Sequence, residues 1–212
     1  MLYKSKINLK SEENDNEHLA VIADVSKEDD AKKIINNAID KFGKIDVLVN
    51  NAGIVRFANI FDKNVMEVYD TVMSTNLRAS IYLTHLAAPY LIETKGNIVN
   101  VSSIAGTMVA LPTMNYYCVS KAALNHFTRG VAGELASHGV RVNTVSPGPV
   151  KTDIMENSNL EVPIDLAAIT TPLGRISESQ EIADLILFVA SDKAKAITGS
   201  DFVSDNGIKV KY

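Results

Sequence analysis

The sequence predicts an α/β fold built on a Rossmann-like, doubly wound parallel sheet. Short runs of consecutive Val, Ile and Leu alternate with longer stretches of helical period, the pattern of strands buried on both faces between crossover helices. Each run also ends in small or polar residues, as suits a sheet that binds ligands at the carboxyl ends of its strands. The 212 residues, 46% hydrophobic and 22% charged, suffice for one domain with a sizeable core.

The first run, Leu19–Ala23, ends in Asp24-Val25 and leads into a helical stretch over Lys27–Phe42. The second, Ile45–Val49, ends in Asn50-Asn51-Ala52-Gly53, and a helix is expected over Lys63–Glu93. The third, Asn97–Val101, ends in Ser102-Ser103 and precedes a helix over Ser120–His138. The fourth, Val140–Val145, ends in Pro147-Gly148-Pro149-Val150. After an aperiodic stretch over Thr152–Thr171, Ile182, Leu185, Ile186 and Val189 form the apolar stripe of a helix over Glu178–Ser191. A last short strand is expected at Phe202–Val203.

Several function classes are set aside by composition. With a net charge of −4 and no long basic block, nucleic acid is not an expected partner. No apolar run reaches the roughly 18 residues of a membrane span, and the polar N-terminal stretch lacks the apolar core of a secretory signal. A single cysteine, Cys118, fits a reducing compartment, so the cytoplasm is the expected location. His85, His126 and His138 lack metal-like spacing, and no metal site is expected.

The residues with chemistry gather at the strand ends. Tyr117 and Lys121, four apart, share one helix face, whereas Tyr116 points well away from Lys121. A nearby ammonium lowers a phenol's pKa, making a group that can exchange a proton with an alcohol or carbonyl. Taken alone, such a pair is better described as part of an amphipathic surface helix. Ser103, just beyond an apolar strand, can donate to an oxygen on which charge develops, while Ser102 is read as capping the next turn. Asn51, Ala52 and Gly53 permit close backbone approach to a flat ligand, and Gly53 permits unusual dihedrals. Cys118 has no base beside it and is assigned no catalysis.

In order, Asn50-Asn51-Ala52-Gly53, Asn76, Ser103, Tyr117-Cys118-Val119-Ser120-Lys121 and Pro147-Gly148 resemble the short-chain dehydrogenase/reductase family, over about Leu19 to Gly207. The resemblance implies a nicotinamide-dependent oxidoreductase that interconverts a secondary alcohol and a ketone, using NAD or NADP. Tyr117 would be the acid/base, and Lys121 would lower its pKa and contact the cofactor ribose. Ser103 would orient the substrate oxygen, and Asn76 would hold a proton-relaying water. Asp24 and Val25 would meet the adenine, Asn51 would lie along the cofactor with Ala52 and Gly53, and Val150 and Thr152 would reach the nicotinamide end beyond Pro147 and Gly148. The hydride chemistry belongs to the cofactor. Family habit further implies a homo-oligomer, dimer or tetramer, packed through Lys63–Glu93 and Ser120–His138, with Ala79, Ala87, Ala88, Ala122, Ala123 and Ala132 permitting close helix approach.

One part of the family pattern is not found. The family opens with a strand, a Gly-rich turn that cradles the pyrophosphate, and a helix, but Met1–Asn16 contains no glycine. The sequence thus reads as a single domain, residues 1–212, incomplete at its N-terminus and lacking the first β-α-β unit, about 35–40 residues. The residue that selects NAD against NADP would lie in that unit. In the family strand order the missing strands fall between Leu19–Ala23 and Ile45–Val49, leaving two exposed sheet edges. Without the phosphate donors, affinity for either cofactor is expected in about the millimolar range or weaker. An alternative function is therefore a non-catalytic relative that serves as a binding or oligomerising module. The apolar residues Ile154, Met155, Leu160, Val162, Ile164 and Leu166 suit a cover over a hydrophobic substrate.

Overall fold

A computed structural model describes residues 18–109, 111–154 and 171–210. In chain order these form α1 (Glu28–Phe42), β1 (Val47–Asn50), α2 (Val65–Met73), α3 (Ala79–Thr94), β2 (Asn97–Val101), α4 (Asn115–Ala136), β3 (Arg141–Pro147), β4 (Val150–Lys151), β5 (Ser177–Glu178), α5 (Ser179–Ala190) and β6 (Asp201–Ser204). The main sheet runs β1-β2-β3-β6 with every pair parallel, and β4 and β5 make a two-residue parallel ladder of their own.

Alternate residues of β2 explain the two helical layers. Ile98 faces a cluster in which Ala31 and Ile35 of α1, Leu83, Ala87 and Leu91 of α3 and Val131 of α4 meet Val142. Val99 faces the other way, toward Ile182 and Val189 of α5, with Val145 and Phe202 completing that side. A strand between two helical layers must be apolar on consecutive positions, as β2 is.

Two strand expectations are corrected. Leu19–Ala23 is not a strand, and its Ile22 is largely exposed. A strand needs a ladder partner for its backbone groups, and these residues have none among the described ones. They instead lie along α1, where Lys41 and Lys33 donate to the carbonyls of His18 and Ile22. β1 was expected to be buried on both faces, yet Val47 and Val49 are each 40% exposed. α5 packs on β2 and β3 and does not reach them, whereas Leu48, on the opposite face, packs into the α1/α3 cluster.

The helices also depart from their expected bounds. Lys63–Glu93 is divided into α2 and α3 by a single π-helical turn, Ser74–Arg78. α4 begins at Asn115, five residues before the expected start, after a 3-10 turn over Pro112–Met114. Tyr116, Tyr117 and Val119 are weak helix formers, so this first turn draws on tertiary burial of Tyr117 and Cys118.

Between α3 and β2 the chain turns through Lys95, at φ 50°, into Gly96. A Cβ on Gly96 would lie 2.3 Å from the Asp46 carbonyl oxygen and 2.9 Å from Leu91 Cδ2. Gly96→Ala should therefore destabilise the fold by about 1–3 kcal/mol, the usual cost of overpacking. A urea titration should show a lower midpoint with an unchanged slope.

Candidate active site

α4 presents Tyr117, Lys121 and Asn125 at four-residue steps along one buried stripe, packed beneath the loop that follows β2. Tyr117 lies in a small cluster with Val55, Ala105 and Cys118, flanked by Phe57, Met114 and Ile154. Lys121 is 4% exposed, and its Nζ donates to the Val101 carbonyl at 2.9 Å, 5.7 Å from the centre of the Tyr117 ring. An ammonium has three protons, and among the described residues only Val101 O takes one.

The capping role expected of Ser102 falls to Ser103. Ser103 is the capping residue: its Oγ accepts from Ala105 N at 3.1 Å at the head of the 3-10 turn Ile104–Gly106. Ser102 Oγ instead donates to the Lys121 carbonyl at 3.2 Å, tying the loop to α4. Capping consumes an acceptor lone pair of Ser103 and leaves its proton, which can reach Pro147 O at 3.5 Å. The Ser103 hydroxyl also stands on the side of the Tyr117 phenol, where it favours the phenolate form. Three elements therefore bring Ser103, Tyr117 and Lys121 together: the end of β2, α4, and the end of β3 that supplies Pro147.

The electrostatics correct one expectation. Burial pushes the Tyr117 phenol above its ordinary pKa, outweighing the nearby Ser103 hydroxyl, which favours phenolate. Lys121 does not reverse this, because burial brings its own pKa down to about 8 and its Nζ is aimed at Val101 O and the ring face. In this state Tyr117 is a protonated acid near neutral pH.

Asn76, in the π turn, is fully buried. Oδ1 accepts from Ile54 N at 2.8 Å, while Nδ2 donates to Ile54 O at 2.9 Å and to Ser120 Oγ at 3.1 Å. The side chain thus clamps the loop after β1 to α4, with both amide protons used and one Oδ1 lone pair left over. That clamp also accounts for the π turn, since the extra residue turns Asn76 inward. Gly53 lies between these groups: a Cβ there would be 3.4 Å from Lys121 Nζ and 3.5 Å from Asn76 Oδ1. Its φ is not positive, so the expected unusual dihedral is absent, and a small residue is favoured by proximity alone.

A buried polar chain escaped sequence reasoning. Asn50 Nδ2 donates to Asn100 Oδ1 at 2.8 Å and to Thr84 Oγ1 at 3.3 Å, and Asn100 Nδ2 donates to Thr128 Oγ1 at 2.9 Å. The chain links β1, β2, α3 and α4 immediately behind the site. The available signal was Asn100 itself, an amide inside an otherwise apolar strand.

The remaining expected contacts are distributed around the strand ends. Asn51 and Ala52 are exposed beside Gly53, which leaves their backbone open to a ligand. Asp24 is exposed and accepts from Ser26 N and Oγ, which holds its carboxyl below the usual carboxylate range and starts the turn into α1. Val25 packs inward against the α1/α3 cluster. Gly148 is required by protein packing, since a Cβ would meet Asp205 Cα at 2.8 Å. Val150 is half-buried against the α5 side, and Thr152 is exposed with its Oγ1 accepting from Ile154 N. Of the apolar cover residues only Ile154 is described, beside Tyr117; Met155, Leu160, Val162, Ile164 and Leu166 lie outside the described residues.

These residues fit the nicotinamide-ribose end of a dinucleotide: an open backbone at Asn51–Ala52 adjoins an ammonium with protons to spare. A family model described as enoyl-(acyl carrier protein) reductase matches residues 4–209. The 3-oxoacyl-[acyl-carrier-protein] reductase FabG of Thermotoga maritima is 37% identical over 190 residues, covering 89% of this chain and 76% of that protein. A 3-oxoacyl-[acyl-carrier-protein] reductase of Synechocystis sp. is 39% identical over 197 residues, covering 92% and 77%. Among solved structures, a short-chain dehydrogenase/reductase of unknown function from Caenorhabditis elegans, solved with cofactor, superposes with a TM-score of 0.82 at 37% identity, covering 91% of this chain and 75% of its own. A Mycobacterium marinum short-chain type dehydrogenase/reductase gives 0.83 at 32% identity, covering 91% and 76%. With its family motifs gathered at the strand ends and the match spanning nearly its whole length, the chain belongs to the short-chain dehydrogenase/reductase family, enzymes that transfer hydride between NAD(P)(H) and a carbonyl or alcohol.

Proposed function

We propose that this chain reduces a ketone to a secondary alcohol, and performs the reverse oxidation, with Tyr117 as the proton donor and acceptor. The observation that carries this reading is the convergence of Ser103, at the end of β2, on the buried Tyr117 and Lys121 of α4. A bound nicotinamide supplies the hydride. Ser103 donates to the substrate oxygen and holds it against Tyr117, which gives its proton as negative charge develops there. Lys121 stabilises the phenolate left behind and turns its spare protons toward the cofactor ribose. Asn76 acts as a positioning residue, through the clamp between Ile54 and Ser120.

The relatives' names favour a 3-oxoacyl thioester as substrate, and Phe57, Met114 and Ile154 beside Tyr117 suit an acyl chain. Consumption of NADPH or NADH with an acetoacetyl thioester tests this, and a larger kcat/KM for the thioester than for a simple cyclic ketone is expected. No consumption with any ketone would favour the non-catalytic alternative.

The raised phenol pKa gives a signed pH dependence. Reduction uses protonated Tyr117, the dominant form at neutral pH, whereas oxidation needs the phenolate. Alcohol oxidation should therefore accelerate as pH rises above neutral, and reduction should not. A kcat/KM for oxidation that is flat from neutral to alkaline pH would remove a titrating base from the mechanism.

Assembly follows from the faces left open. Ala79, Ala87 and Ala132 are buried inside the subunit and are not available for helix contacts between subunits, which corrects half of the expected set. Ala122, Gly130 and Gly133 of α4, with Val119 at 43% exposure and Ile81 of α3 at 40%, form a small-residue and apolar face suited to a twofold partner. Light scattering should give a dimer or tetramer, and a 23.0 kDa species at micromolar concentration would contradict it.

A further inference from the structure

The turn that begins at Ser103 ends at Gly106, and it rests on α4 at the residue that also carries the ammonium. A Cβ on Gly106 would lie 2.9 Å from the Lys121 carbonyl carbon, 3.0 Å from Ala122 N and 3.0 Å from Asn125 Nδ2. Gly106 is not at positive φ, so nothing in its backbone calls for glycine. The requirement comes from the Lys121–Ala122 peptide, which is part of a helix and cannot rotate away as a side chain could. The turn is short and stiff: Gly106 N donates to Ser103 O at 2.9 Å, and Ala105 N to Ser103 Oγ at 3.1 Å. The second tie, Ser102 Oγ to Lys121 O at 3.2 Å, draws the same turn onto the same helical residue. A displacement at Gly106 is thus passed to Ser103 with little to absorb it.

We infer that Gly106 is a positioning residue: by lacking a Cβ it lets the Ser103–Gly106 turn seat on the α4 backbone, and this seating sets where the Ser103 hydroxyl stands relative to the Tyr117 phenol. The inference rests on the proposed roles of Ser103 and Tyr117. Asn125 bounds the contact from the side. Its amide is buried with no hydrogen-bond partner among the described residues, so it is the soft neighbour and the peptide is the hard one. Among the described residues, Lys121 and Cys118 on α4 are the titratable groups that face Tyr117, and Ser103 is the polar one after β2. Val55, Ala105, Phe57, Met114 and Ile154 pack around it. Moving the Ser103 hydroxyl away from Tyr117 removes an influence that favours phenolate, so the phenol pKa moves further up.

The test is Gly106→Ala, read two ways in the full chain. The ionisation of Tyr117, obtained as the difference in ultraviolet pH titration between each chain and its Tyr117→Phe counterpart, should move to higher pH. This readout is independent of turnover. The kcat for ketone reduction should fall by about 10- to 100-fold with KM for the cofactor nearly unchanged, as expected of a misplacement on the ångström scale. Gly106→Ala/Asn125→Ala should not recover either value, because the peptide still stands in the way. An unmoved Tyr117 titration in folded Gly106→Ala overturns the inference, as does recovery in the double variant. Failure of Gly106→Ala to fold would assign the glycine to packing alone and overturn it equally. The parent reading fails separately, if Tyr117→Phe retains turnover.

Discussion

Tyr117→Phe should lower kcat by about 10²-fold or more in either direction, the scale of general acid/base catalysis. The substitution removes one oxygen from a side chain that is already 8% exposed, so the ring keeps its contacts with Val55, Ala105 and Cys118. KM for the cofactor should change little, because the phenol acts when the proton moves. Stability should change little as well, because the Ser103 proton can still reach Pro147 O when the phenol oxygen is gone. Steady-state kinetics together with a urea titration separate these effects. A near wild-type kcat would remove Tyr117 from the mechanism, whatever its neighbours.

Lys121→Met should have a comparable effect on turnover and an opposite signature in stability. Methionine preserves much of the stem's volume and removes the charge, so the phenolate loses its stabilising partner and the cofactor a donor. Burial holds the Lys121 pKa near 8 against an ordinary 10.5, which corresponds to a cost of about 3 kcal/mol for keeping the charge inside at neutral pH. Below pH 8 both folded and unfolded chains are protonated at Lys121, and the whole cost is borne. Between pH 8 and 10.5 the folded chain releases its proton first, so the cost is relieved as pH rises. Wild type should therefore gain stability relative to Lys121→Met as pH is raised from 7 to 10, by up to about 3 kcal/mol. The lost hydrogen bond to Val101 O shifts the two curves by a constant and leaves that slope intact. A stability difference independent of pH would mean that Lys121 carries its charge without penalty.

The parts of this molecule legible in its sequence are those where local pattern and tertiary demand coincide. β2 and β3 are buried on both faces, so their unbroken apolar runs report strands directly. Ser103, Tyr117 and Lys121 are recognisable because order along the chain preserves the order of strand ends. The misread elements depend on neighbours that a local window does not contain. Leu19–Ala23 has strand composition but no strand beside it among the described residues, and β1 is apolar on a face that α5 does not reach. The division between Ser102 and Ser103 was invisible because both serines suit a cap, and only the position of the Lys121 carbonyl decides which one takes it. The Asn50–Asn100–Thr128 chain joins residues 50 and 28 positions apart, beyond any periodicity. The direction of the Tyr117 shift depends on how deeply the ring is buried, and spacing along the helix carries no information on depth.

The most direct measurement follows the atoms. The purified chain is incubated with a ketone and a nicotinamide cofactor deuterated at its transferable position, in ordinary water, and the alcohol is analysed by mass spectrometry and NMR. The account predicts one deuterium at the carbinol carbon, an oxygen-bound proton drawn from solvent, and loss of this product in Tyr117→Phe. Cofactor consumed without deuterium in the alcohol, or deuterated alcohol formed equally well by Tyr117→Phe, would contradict it.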